Sequence, residues 1–150
     1  MAELGIAASI IAVIQVSKTV IKETHTYGQT VKNAKKDSKR IRGEVKDIGN
    51  ILIKLRDLAH RAENSNRSLD YWPTLASIKQ KGGPLSECEL ALNCLLQELA
   101  PASGWGIIKG RFLWSLKMKK IENALQAIAR QRKFFMEALN VEQACVIFAK

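Results

Sequence analysis

The clearest periodic signal in this chain is a stripe of apolar residues spaced alternately by four and three positions. The stripe consists of Ile41, Val45, Ile48, Leu52, Leu55 and Ala59. This spacing returns each side chain to the same side of an α-helix, and it is typical of helices that pack as an antiparallel bundle. It predicts a long helix with Asn33 as its N-cap, ended by the turn-forming run at residues 63–68.

Three further segments also show helical spacing, and no segment shows the alternation of a strand. Residues 2–31 predict a first helix that ends or breaks near Gly28. Pro84 predicts the start of a helix that Pro101 ends. Its inward stripe is Cys88, Leu92, Leu95 and Leu99. A last helix, from about Lys109 to Ala144, carries the stripe Ile121, Leu125, Ile128, Phe135 and Leu139, interrupted by Arg132. The predicted fold class is all-α: a bundle of four principal helices, with five or six if the first helix breaks and residues 73–80 form a turn.

The first helix is unusually apolar over residues 4–16, LGIAASIIAVIQV. Apolar side chains fall on two of its faces, so it must be buried centrally or enter lipid. Thirteen helical residues span about 20 Å, which is short of the roughly 30 Å hydrocarbon core of a bilayer. No basic residue precedes the run and no small-residue cleavage site follows it, which disfavours a secretory signal peptide.

Composition and charge narrow the choice of partner. A chain of 150 residues that is 47% hydrophobic predicts one domain with a sizeable core. The net charge of +10 is uneven, with twelve Lys/Arg against five Asp/Glu in residues 18–61 and eight against one in 109–133. Such regions attract phosphate on nucleic acid or on lipid, although a solvated helix face is the alternative interpretation. If the two basic helices pack side by side, their clusters could form one face. The residues predicted to contact anionic lipid are Lys32, Lys35, Lys36, Lys39, Arg40, Arg42, Lys117, Lys119 and Lys120.

Motifs for catalysis or cofactor binding are absent from the sequence. No phosphate-binding loop or nucleophile elbow occurs, and the three cysteines have no metal-ligand spacing. An odd number of cysteines without a secretory signature fits a reducing cytosol. Cys88 and Cys94 fall in an apolar helical pattern and are interpreted as small core residues. The prediction is a protein that is not an enzyme and uses no metal, cofactor or small-molecule substrate.

Three segments resemble a known family in the same order. They are MAELGIAASIIAVIQVS (1–17), AKKDSKRIRGEVKDIGNILIKL (34–55) and RFLWSLKMKKIENALQAIARQRKFFMEAL (111–139). Together they resemble the fungal HeLo-like N-terminal domain of STAND/NLR-type proteins. That group is related to the HeLo domain of the HET-S cell-death system and is similar in architecture to the four-helix bundle of MLKL. The resemblance is a pattern of apolar and charged positions over nearly the whole chain.

The resemblance implies one HeLo-like domain over residues 1–150, forming the N-terminal part of a longer protein. It implies a cell-death domain of fungal immunity and heterokaryon incompatibility that rests in the cytoplasm downstream of an NLR-type receptor. On activation such a domain self-associates and inserts its first helix into the plasma membrane, which it disrupts or perforates. By position, the inserting residues are Leu4, Ile6, Ile10, Ile11, Val13, Ile14 and Val16.

Two other functions remain open from the sequence. One is a non-lytic adaptor, in which the first helix stays permanently in the core and the basic face meets an acidic protein. The other is nucleic-acid binding, which is disfavoured because no zinc finger, helix-turn-helix pair or other readout motif is found.

Overall fold

The computed structural model describes the backbone of residues 5–30, 35–64, 73–99 and 110–148, and the side chains of 5–29, 35–64, 74–99 and 116–141. Within these ranges the chain forms α1 (Ile6–Thr30), α2 (Lys35–Glu63), α3 (Pro73–Lys79), α4 (Pro84–Leu99) and α5 (Gly110–Phe148). The predicted all-α bundle is confirmed, with α3 as a short fifth helix. Gly28 lies inside α1 and does not break it, whereas the proposed N-cap Asn33 falls outside the described residues.

The four long helices are arranged so that α1 packs on α2 and α4, and α5 packs on the same two helices. The start of α1 touches Glu63 at the end of α2, so these two helices are antiparallel. In contrast, α2 and α5 run in the same direction. Arg40 of α2 pairs with Glu122 of α5, and the second pair, Glu44 with Arg132, lies later in the sequence of both helices. The short α3 contacts α1, α4 and α5, in the connection that brings the chain from α2 to α4.

The predicted stripes form the core of the bundle. All six stripe residues of α2 are at most 1% exposed, and the stripes of α4 and α5 are similarly buried. Arg132 interrupts the α5 stripe because its guanidinium reaches α2, where it donates to Glu44 at 3.1 Å and Asp47 at 3.4 Å. A half-buried arginine is accommodated at a core-facing position only because these carboxylates stand opposite it.

The two described cysteines of α4 occupy different environments. Cys88 is fully buried as predicted, and this burial raises the pKa of its thiol to about 12. Cys94 is half-buried and packs against the edge of the core, so the prediction of a core position holds for this residue only in part. Its thiol lies near Glu98 of α4 and Lys120 of α5, at the rim between the two helices.

Small residues allow α1 and α2 to approach closely. The Ser38 hydroxyl of α2 donates a hydrogen bond to the Thr24 carbonyl of α1 at 2.8 Å. A Cβ atom added to Gly28 would lie 2.5 Å from the Ser38 Oγ and 2.8 Å from its Cβ. Further along, a Cβ on Gly49 would lie 3.4 Å from the Ser17 Oγ. The second half of α1 is therefore joined to α2 by short-range packing and a buried hydrogen bond.

Replacing Gly28 by alanine is expected to destabilise the protein by about 1–3 kcal/mol, because the added methyl group overlaps Ser38 unless the helices separate. The matched control is Gly43→Ala. Gly43 is an exposed position in the interior of α2, and a methyl group added there would meet nothing within 4 Å. Since alanine favours the helix, this variant should be up to about 1 kcal/mol more stable. Chemical denaturation of both variants tests the difference; equal stabilities would contradict the close approach.

Candidate functional site

The residues predicted to insert into a membrane lie mostly in the core of the bundle. Ile6, Ile10, Val13 and Ile14 are at most 2% exposed, and Ile11 and Val16 are half-buried. Leu4 falls outside the described residues. In this conformation α1 is a central helix, and insertion would require it to leave its neighbours.

The outward face of the same segment carries no charge. No charged residue occurs from Gly5 to Ser17, and the exposed positions in this half include Ala8, Ala12 and Gln15. The next charged residue after this run is Lys18. The helix thus divides into an uncharged first half and a charged second half, and only the second half has side chains that must remain hydrated.

A carboxylate from the end of α2 caps the start of α1. The Ala7 backbone N–H donates to the Glu63 Oε1 at 3.0 Å, and a Cβ on Gly5 would lie 2.6 Å from the same oxygen. The first N–H groups of a helix lack partners within it, and they carry partial positive charge. Gly5 has no side chain that could accept from them, so Glu63 supplies the acceptor. Sequence reasoning missed this contact because the two residues are 56 positions apart and have no local capping pattern.

Three of the residues predicted to contact lipid are engaged within the protein. Arg40 donates two hydrogen bonds to Glu122, at 2.7 and 2.8 Å, and these bonds lower the pKa of the Glu122 carboxyl. Lys120 lies 3.7 Å from Glu98. The Lys117 ammonium lies 5.1 Å from the centre of the Tyr27 ring, and its desolvation there lowers its pKa. Each of these contacts reduces the attraction available to an external anion.

The other predicted basic residues are placed differently. Lys35, Lys36, Lys39 and Lys119 are exposed and have no ion-pair partner among the described residues. Arg42 is half-buried and contacts the His25 ring of α1, while Lys32 lies outside the described ranges.

The basic clusters of α2 and α5 do not form one uncompensated face. The two helices do pack together, but their polar contacts run through Glu44, Asp47 and Glu122. The charges of Arg40 and Arg132 at this interface are therefore compensated within the bundle.

Other kinds of site find no support in the described ranges. No group of three His, Cys, Asp or Glu side chains there could hold a metal ion. His25 and His60 are both exposed and lie on different helices. None of the described helices combines the length and the hydropathy needed to cross a bilayer.

No protein-family profile, curated protein or solved structure matches this chain. The HeLo-like resemblance therefore stays a prediction that rests on the pattern of apolar and charged residues.

Replacing Glu63 by glutamine should loosen the start of α1, because the neutral amide loses its attraction to the helix dipole. We expect faster amide hydrogen exchange at residues 7–10 and a loss of about 1 kcal/mol in unfolding free energy. Glu137→Gln, an exposed position on α5, removes the same charge without touching α1 and serves as the control. Unchanged exchange in the Glu63 variant would show that the cap does not hold the helix.

Proposed function

We propose that this chain is a membrane-targeting cell-death domain. It rests in the cytoplasm as a closed bundle and self-associates on activation, downstream of an NLR-type receptor. Its first helix then enters the plasma membrane and disrupts it. The observation that carries this proposal is the division of α1, in which thirteen positions from Gly5 to Ser17 hold no charge.

The energetics of α1 favour release at a lipid surface over release into water. Exposing four fully buried aliphatic side chains, Ile6, Ile10, Val13 and Ile14, costs roughly 1.5–3 kcal/mol each. Their sum approaches the whole stability of a typical domain, about 5–15 kcal/mol. Hydrocarbon offers these side chains an environment as apolar as the core, so transfer into lipid recovers most of this cost. The helix is therefore expected to leave the bundle only in contact with a membrane.

The length of the uncharged half explains why several copies are required. Residues 6–17 form about 18 Å of helix, which reaches little more than half of a roughly 30 Å hydrocarbon core. A short hydrophobic segment is accommodated by thinning of the bilayer or by oligomerisation. Self-association is thus part of the proposal.

A non-lytic adaptor is the second candidate, and the burial of α1 favours it. Ile10 and Val13 are completely buried, and Glu63 caps the helix as it would cap a permanent core element. In this alternative α1 never leaves the bundle, and the basic residues meet an acidic protein.

Glutamate at position 12 separates the two candidates. Ala12 is exposed in the bundle, so the Ala12→Glu variant should fold normally. In lipid the new carboxylate costs about 2.5–3.5 kcal/mol, so dye release from anionic vesicles should fall about 100-fold. Asn140→Glu adds the same charge to an exposed position of α5, away from α1 in sequence, and should remain close to wild type.

Circular dichroism should show that both variants remain helical. Dye release by Ala12→Glu equal to that of the wild type would rule out insertion of this segment. If the wild-type protein releases no dye from anionic vesicles, the lytic function is ruled out and the adaptor function is the remaining candidate. Ile10→Asp is a poor test, since it places a charge in the core and would unfold the bundle in either case.

A further inference from the structure

Two rows of mostly basic residues with identical spacing lie on α1 and α2. The α1 row is Lys18, Lys22, His25 and Gln29, and the α2 row is Lys35, Lys39, Arg42 and Lys46. Both rows follow steps of four, three and four residues, which keep side chains on one side of a helix. We call the surface formed by these eight residues the basic groove.

The two rows face each other across the contact between α1 and α2. An Arg42 Nη1 lies 3.4 Å from the His25 Nδ1, and the Gln29 side-chain amide lies 3.1 Å from the His25 Nε2. Because the helices are antiparallel, Lys22 and Lys46 both follow one turn beyond this contact, toward the same end of the bundle. All eight residues are exposed except Arg42, which is half-buried.

The carboxylates of these two helix segments are directed elsewhere. Glu44 and Asp47 pair with Arg132 on α5. The pKa of Tyr27 is raised to about 12 mainly by desolvation and additionally by the nearby Asp37 carboxylate. Arg40 is bonded to Glu122 of α5, and this bond is the main cause of its raised pKa. Glu23 lies one turn before the buried Tyr27, on a different side of α1 from Lys22. In this part of α2, Glu44 and Asp47 form ion pairs with α5, whereas Lys35, Lys39 and Lys46 have no ion-pair partner among the described residues.

The lysines of the basic groove keep their charge for an external partner. Lys18, Lys22, Lys35, Lys39 and Lys46 have no ion-pair partner among the described residues. We infer that the basic groove is the surface through which this domain docks on an anionic lipid bilayer. This inference rests on the proposed function and names its docking surface, which includes Lys18, Lys22 and Lys46 in addition to residues predicted from the sequence.

The neighbourhood of the basic groove favours lipid over nucleic acid. Along α1 the groove continues directly into the uncharged half of the helix, with Ala8 and Ala12 on its exposed side. A bilayer presents phosphates with hydrocarbon beneath them, and both parts of α1 would meet a suitable environment there. Nucleic acid would satisfy only the cationic part. Docking through the groove therefore lays the helix that is proposed to insert against the lipid headgroups.

The test compares two double variants that remove equal charge. Lys22→Gln with Lys46→Gln removes two charges from the groove, and Arg130→Gln with Lys133→Gln removes two charges from exposed positions of α5. Binding to vesicles of phosphatidylcholine and phosphatidylserine is measured by co-sedimentation in about 0.1 M salt, where the Debye length is about 10 Å. Each basic residue near the surface contributes about fivefold in affinity, so the groove variant should bind about 25-fold more weakly. The α5 variant should lose much less, because lipid attraction falls off within a Debye length.

Three other results of this experiment would each contradict a different part of the proposal. If the α5 variant loses binding and the groove variant does not, the docking surface is wrong while the proposed function stands. If the wild-type protein binds no anionic vesicles, the proposed function itself fails. The partner is nucleic acid if two results are found together: the wild-type protein binds duplex DNA more tightly than vesicles, and the groove mutations weaken DNA binding more than vesicle binding. Circular dichroism of both variants controls for folding.

Discussion

The burial of the uncharged half of α1 is the constraint on which the rest of the bundle depends. Ile6, Ile10, Val13 and Ile14 have no stable place in water, so α2 and α4 must cover them. In our proposal, the hydrocarbon of a membrane is the alternative environment that accommodates the same four residues. A core helix and an inserting helix therefore require the same sequence, and the two states differ only in what surrounds it.

The contacts of α1 differ between its two ends, and this difference suits a stepwise release. Its second half is joined to α2 by the Ser38–Thr24 hydrogen bond and the close approach at Gly28. Its first half has apolar packing and the Glu63 cap. Apolar packing can be exchanged for lipid, whereas a buried hydrogen bond has no replacement in hydrocarbon. In our proposal the charged half stays with α2 and the headgroups while the uncharged half inserts.

The sorting of charge on α2 connects the fold with binding. Glu44 and Asp47 of α2 pair with Arg132 of α5, and Glu122 of α5 pairs with Arg40 of α2. The charge of both arginines is therefore compensated within the bundle. On the opposite side the described cations lack such partners. In our proposal the basic groove, rather than the whole net charge of +10, is the part of the protein that meets an anionic surface.

The sequence by itself determined the helical bundle, the stripes that face the core and the two basic regions, because periodicity and composition are local properties of the chain. It also identified α1 as exceptional. Only the tertiary structure decided that α1 is central, that Glu63 caps it, and that Arg40 is neutralised while Lys22 and Lys46 are not. These facts depend on which helices become neighbours and on how each helix is rotated about its axis. An ion pair between Arg40 and Glu122 cannot be recognised from the spacing of residues in either segment.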